Sequence, residues 1–198
     1  MTFEGIDRAG KTTQARLLAE ALGEEAVAVR EPGGTGVGER VRALVKDPSV
    51  EVGPEAEALL FAAARAELVR CVIRPALETG RVVVSDRFLD SSLAYQGVGR
   101  GLGVEEVARV NEFATGGLVP DLTFLLVLEP EAAAARGGED DRFEGEGRAL
   151  QAAVLAGYEK LARADPARWH RLDASAPVPE IHAKVLASVE SARSGAPA

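Results

Sequence analysis

A chain of 198 residues, 46% apolar and 27% charged, has the length and composition of one globular domain with a sizeable core, which excludes a disordered chain. A formal net charge of −8 excludes the broad basic face that a nucleic-acid polymer or an anionic membrane demands, although a basic cleft remains open. No run of about 18 apolar residues and no charged-then-apolar leader is visible, so a cytoplasmic protein without membrane contact is the expectation.

In chain order, the first element is the least clear. Only Met1-Thr2-Phe3-Glu4 precede Gly5, so the strand that should feed the next motif is either unusually short or begins upstream. That motif is Gly5-Ile6-Asp7-Arg8-Ala9-Gly10-Lys11-Thr12, which meets G-x-x-x-x-G-K-[ST] at each fixed position. Glycines allow a turn whose N–H groups point at phosphate oxygens, and the following helix adds its positive end. Lys11 can then reach the β- and γ-phosphates of a triphosphate, and the Thr12 hydroxyl can ligate Mg²⁺. The alternative is a glycine-rich turn entering an ordinary helix; Leu17, Leu18, Ala21 and Leu22 do give that helix an apolar face.

Ala26–Arg30 reads as a strand closed by a Pro-Gly-Gly turn, Arg30-Glu31-Pro32-Gly33-Gly34-Thr35. A helix is expected from about Pro54 to Glu78, with Leu59, Leu60, Leu68, Val72, Ile73 and Leu77 near helical spacing and Pro75 kinking or ending it. The single cysteine, Cys71, excludes an internal disulfide and is expected as a buried thiol in this stretch. Arg81–Ser85 is a strand followed by Asp86, which reads as a cap or, beside a phosphate loop, as a metal-shell carboxylate. Leu122–Leu128 and Trp169–Leu172 complete the strands, with Trp169 in the core. His170 and His182 stand in no cluster with metal-ligand spacing. Unbroken apolar strands alternating with helices predict an α/β doubly wound domain with a parallel sheet.

Six stretches carry a family resemblance. FEGIDRAGKTTQ, REPGGTG, LLFAAARAELV, VVVSDRFLDSSLAYQG, PDLTFLLVL and EDDRFE occur in this order, and together they resemble thymidylate kinases over nearly the whole chain. The resemblance implies a P-loop kinase fold: a five-stranded parallel sheet flanked by helices, as one domain over 1–198 with a small lid at about 136–147. It also implies transfer of the γ-phosphate of ATP to dTMP with Mg²⁺, and a homodimer. ATP is then expected on Gly5, Ile6, Asp7, Arg8, Ala9, Gly10, Lys11, Thr12 and Thr13, with Arg136 from the lid, and the metal on Thr12 and Asp86.

For dTMP the resemblance assigns Asp7, Pro32, Phe61, Arg65, Arg87, Ser92, Tyr95 and Gln96. Phe61 and Arg65, four apart on one helix, share a face. The ring is expected to stack on the base and the guanidinium to donate to a thymine carbonyl; without the resemblance they read as a core ring and a solvated charge. Arg87 is expected on the acceptor's phosphate, for which an arginine fork is suited. Ser92, Tyr95 and Gln96 are expected around base and sugar. The same loop could serve another nucleoside or deoxynucleoside monophosphate kinase, or a nucleotide switch. A guanine-reading Asn-Lys-x-Asp is absent, the lone Asn111 standing in VNEFATG.

The lid stretch, EPEAAAARGGEDDRFEGE, departs from relatives with several lid arginines, since it holds only Arg136 and Arg142 amid excess acid. Phe143 stands where some relatives have tyrosine. Migrating charge therefore needs another cation, and the resemblance supplies Arg8, placed in the loop itself in one thymidylate kinase type. The expected catalytic set is Arg8, Lys11, Asp86, Arg87, Arg136 and Arg142, with Asp7 accepting from the acceptor's 3′-hydroxyl.

Overall fold

The structure, a computed structural model, describes residues 1–137 and 147–195. Its five strands are β1 (Thr2–Glu4), β2 (Ala26–Arg30), β3 (Val82–Asp86), β4 (Thr123–Val127) and β5 (Trp169–Asp173). They form one sheet in the order β2-β3-β1-β4-β5, with every pair parallel. Consecutive residues Thr123, Phe124, Leu125 and Leu126 are all buried. That is why β4 carries no polar alternation: helices cover the sheet on both faces. The expected fold class holds.

β1 is a strand of three residues, all buried. It can be so short because it is central, taking hydrogen bonds from β3 on one side and β4 on the other. Asp86, expected just past its strand, is instead the last residue of β3, in register with Arg30 on β2 and Phe3 on β1.

The helices are α1 (Lys11–Leu22), α2 (Gly36–Lys46), α3 (Pro54–Leu68), α4 (Arg74–Glu78), α5 (Leu89–Ser92), α6 (Val104–Thr115), α7 (Pro130–Ala135), α8 (Arg148–Ala164) and α9 (Val178–Ser194). α1 packs across β1, β2 and β3, while α8 lies on β4 and β5. Phe3 and Phe124 stack at 5.0 Å between centroids in the core, and Trp169 is buried as expected.

Pro75 does not end the long helix, which runs on as α4 to Glu78. A π-helical turn, Val69–Ile73, joins α3 to α4 directly before the proline. Proline lacks an N–H and its ring crowds the carbonyl four residues back; a wider turn there accommodates both. The turn also corrects the expectation for Cys71. Leu68, Val69 and Ile73 take the buried positions, and Cys71 is exposed, its Sγ 3.5 Å from Glu67 Oε1. Leu59 and Leu77 likewise face outward, at 59% and 40% exposure.

A second π-helical segment, Leu93–Gly99, continues α5 and carries Tyr95 and Gln96. The turns that follow β1, β2 and β3 thus open on one end of the sheet, at the carboxyl ends of its strands, where ligands bind in open α/β folds.

Candidate active site

The loop after β1 admits no side chain at its first glycine. Gly5 has φ 139°, and a Cβ there would stand 2.5 Å from the Leu126 carbonyl oxygen. Ile6 and Ala9 are buried and anchor the loop to the core, and Gly10, at φ 98°, turns the chain into α1. Lys11 is buried, and its Nζ donates to the Ile6 carbonyl at 2.6 Å, inside the loop's own curve. Burial, then the nearby Arg87 guanidinium, push the Lys11 pKa down to about 8, while Asp7, Asp86 and Glu4 oppose this. Thr12 Oγ1 donates to Asp86 Oδ2 at 2.5 Å, uniting the loop with the end of β3. Thr13 follows, half-buried in the first turn of α1.

The Asp7-Arg8 pair lies where the loop meets its neighbours. Arg8 has φ 63°, and Arg87, just after β3, has φ 71°; among the described residues they are the two non-glycine residues in the left-handed region. Such conformations concentrate at functional sites because surrounding structure must hold them. Asp7 and Arg87 form an ion pair at 2.5 Å. Asp7 also accepts from the Tyr95 hydroxyl at 2.8 Å and from Gln151 Nε2, on α8, at 3.1 Å. Burial works to raise the Asp7 pKa, but Arg87, Lys11 and these hydrogen bonds prevail and hold it well below the usual carboxylate range. Asp7 is therefore an ionised acceptor and a weak base.

Arg136, just after α7, donates to the Arg8 carbonyl at 3.0 Å and to the Ala174 carbonyl beyond β5. It stands against the phosphate loop. Arg142 and Phe143 fall on 138–146, as does nearly all of the expected lid, and lie outside the described residues.

Beside the loop opens a cavity of about 290 Å³. Its lining takes in Asp7, Arg8, Lys11 and Thr12 from the loop, Asp86 and Arg87 from the end of β3 and the turn after it, and Pro32, Phe61, Ser92, Tyr95 and Gln96. Seven of the eight residues expected for dTMP are thus together: Asp7, Pro32, Phe61, Arg87, Ser92, Tyr95 and Gln96. The Arg87 guanidinium lies 5.1 Å from the Tyr95 ring centroid.

Arg65 is not on the wall. It is 1% exposed, and each of its three nitrogens is engaged: Nε with Glu31 at 2.8 Å, Nη1 with Ser92 Oγ at 3.0 Å and with Asn111 Oδ1, and Nη2 with the Phe88 carbonyl at 3.1 Å. Expected to donate to a thymine carbonyl, it holds Glu31 and Ser92 from behind in this structure. The physical reason is burial: an enclosed guanidinium must satisfy its donors inside the protein. Gln96 is held in turn, its Nε2 donating to Glu57 Oε1 at 2.8 Å.

Arg42 and Lys46 also line the cavity, and Arg42 Nη1 donates to the Pro32 carbonyl at 3.1 Å. Sequence reasoning missed them, although two cations four apart on the helix after REPGGTG were a signal. Gln151 was missed too, since nothing local marks it.

Hydroxyl and carboxylate oxygens such as those of Thr12 and Asp86 are the hard donors that Mg²⁺ takes, with phosphates and waters completing its shell. Among the described residues no group of three or more His, Cys, Asp or Glu is placed to hold a metal ion. This donor pair therefore fits an ion carried largely by its nucleotide.

Comparisons with known proteins point to one family. A family model for thymidylate kinase matches residues 3–185. The thymidylate kinase of Symbiobacterium thermophilum is 50% identical over 196 residues, covering 96% of this chain and 92% of that one. That of Deinococcus radiodurans is 49% identical over 195 residues, covering 96% and 95%. A crystal structure of thymidylate kinase from Ehrlichia chaffeensis superposes with a TM-score of 0.79 at 32% identity, covering 96% of each chain.

Proposed function

The chain belongs to the thymidylate kinase family and phosphorylates dTMP to dTDP, and from that premise we propose which residues carry the reaction. ATP lies along Gly5 to Thr13, its β- and γ-phosphates drawing Lys11 away from the Ile6 carbonyl. dTMP occupies the facing wall. Phe61 stacks on thymine, Ser92 and Gln96 meet its edge, Tyr95 borders the sugar, and Pro32 closes the side. Asp7 accepts from the 3′-hydroxyl, and Arg87 holds the 5′-phosphate. Arg65 contributes by fixing Ser92.

One observation carries this reading. Asp7 and Arg8 are neighbours on the triphosphate loop, and Asp7 is already paired at 2.5 Å with Arg87 at the end of the next strand. A 5′-phosphate oxygen of dTMP attacks the γ-phosphorus in line as the ADP oxygen leaves, with no covalent enzyme intermediate. Arg8 and Lys11 spread the charge of the migrating group, with Arg136 beside them and Arg142 assigned to the same task by family resemblance, while the walls hold donor and acceptor aligned. Mg²⁺ held by Thr12 and Asp86 would neutralise charge on the β- and γ-oxygens.

We take residues 1–198 as one domain with its lid at about 136–147, since a single sheet gathers strands from Thr2 to Asp173. A homodimer is supported by outward apolar residues on three helices packed side by side: Leu44 on α2, Leu59 on α3 and Phe113 on α6, at 40%, 59% and 92% exposure. Among the described residues no helix is long and apolar enough to cross a membrane, in keeping with a cytoplasmic enzyme.

Phe61→Ala tests the assignment. Base stacking of roughly 1–3 kcal/mol predicts that the KM for dTMP rises about 5- to 150-fold while the KM for ATP stays put. An unchanged dTMP KM in a coupled ADP-release assay removes Phe61 from the site.

A further inference from the structure

Glu4 ends β1, one residue before the phosphate loop, and is 0% exposed. No step above uses it. A buried carboxyl is costly unless its oxygens are satisfied, and the partners of Glu4 form a set. Oε1 accepts from the Phe88 backbone N–H at 2.8 Å; Oε2 accepts from Ser91 Oγ at 2.6 Å and from the Tyr158 hydroxyl at 2.9 Å. Each of the three supports Arg87. Phe88 follows it in the chain and fixes the peptide after its left-handed turn. Ser91 and Tyr158 accept from Arg87 Nη1 at 3.1 and 3.3 Å, alongside the Gly5 carbonyl at 3.1 Å.

A hydroxyl has one proton and two lone pairs. When Ser91 and Tyr158 give their protons to a carboxylate, their lone pairs are left for the guanidinium. Nη1 is then clamped from behind, and Nη2 remains beside Asp7 and the Tyr95 hydroxyl, at the cavity. We propose that Glu4 is a positioning residue for the acceptor's phosphate: by orienting the Ser91 and Tyr158 hydroxyls it aims Arg87 at the nucleotide. The inference rests on the assignment of Arg87 to that phosphate.

The carboxylate accepts from both hydroxyls at once, whereas a protonated Glu4 would donate to one of them, occupy a lone pair there and turn that proton elsewhere, Ser91 Oγ lying 2.8 Å from the Tyr158 hydroxyl. Burial, then Asp90, push the Glu4 pKa up to about 7, against Ser91, Arg87 and the Phe88 N–H. Lys11 faces it from α1 and Tyr158 from α8. Asp90, on α5, is itself held by Arg168 at 2.5 Å. The dTMP KM is therefore expected to climb as the pH falls below about 7.

The experiment is steady-state kinetics of the full-length enzyme between pH 5.5 and 8.5 with Glu4→Gln, Tyr158→Phe and Arg87→Lys. Glu4→Gln should raise the dTMP KM at least about tenfold, with kcat and the ATP KM within about threefold. It should also lose the inflection near pH 7, keeping that of the substrate phosphate near about 6. The double variant Glu4→Gln/Tyr158→Phe should cost less than the product of the single effects, since the two act through one hydroxyl. An unchanged dTMP KM in Glu4→Gln, or a pH profile like that of the unaltered enzyme, overturns the proposal. Should Glu4→Gln fail to fold, Tyr158→Phe decides: a raised dTMP KM supports the relay and an unchanged one refutes it. Arg87→Lys with an unchanged dTMP KM refutes the assignment of Arg87 itself. A raised KM there beside an unaffected Glu4→Gln refutes the role of Glu4 alone.

Discussion

Replacing Arg8 by glycine should move stability and catalysis in opposite directions. Arg8 sits at φ 63°, a conformation that costs a non-glycine residue roughly 1–2 kcal/mol. Glycine removes that strain but brings an unfolded-state entropy penalty of about 0.5–1 kcal/mol. For the backbone the net is a gain of about 0–1.5 kcal/mol, or about 0–6 °C in Tm for a chain of this size. The same change removes the one arginine on the triphosphate loop, and an arginine supplied to a migrating phosphoryl group is worth about 10³–10⁵ in kcat. Thermal denaturation and coupled ADP release at saturating ATP and dTMP measure the two effects. The expected result is a Tm unchanged or raised, kcat down at least about 10³-fold, and both KM values nearly constant. A kcat within about tenfold of the parent would refute the assignment, as would a larger loss from Arg136→Ala or Arg142→Ala, which would give this role to the lid.

Lys11→Ala should abolish turnover without unfolding the protein, because the buried ammonium it removes is held against the desolvation that lowers its pKa. A Tm drop of more than about 5 °C would assign Lys11 a structural role instead. Asp7→Asn should flatten the acid limb of the Tm profile. The Asp7 pKa is depressed in the fold, so its ion pair with Arg87 contributes fully above the unfolded value of about 4 and is lost as the pH falls below it. Equal slopes below pH 4 in parent and variant would sink this account.

What the sequence disclosed depended on how locally each feature is encoded. The phosphate loop spans eight consecutive residues and its lysine bonds back to Ile6 within the same turn, so spacing alone revealed it. Strands β3 and β4 were legible because burial on both faces leaves unbroken apolar runs. The burial of Arg65 was not legible because its partners Glu31, Phe88, Ser92 and Asn111 lie 23 to 46 residues away. Helical spacing shows which face a guanidinium shares with Phe61, but not what has already claimed its donors. Glu4 was read only as strand, since a lone acid in a three-residue element has no periodicity to break. Cys71 was placed inward because a π-helical turn shifts the phase of the face in a way that a 3.6-residue period cannot anticipate.

The parallel register of β1 and β3 has a consequence of its own. Phe3 is paired with Asp86, so the loop that grips the donor and the turn that bears Arg87 leave adjacent strands at the same level. Adjacent strands are spaced by main-chain hydrogen bonds at about 4.8 Å. The ladder therefore acts as a ruler, setting the offset between the two phosphate grips in backbone atoms, which side-chain substitution does not alter. The residues we assign to the base and sugar sit on other elements, on α3 and on the helical segment from α5 to Gly99. Preference among monophosphates can thus drift over evolutionary time while the distance between the reacting atoms stays fixed.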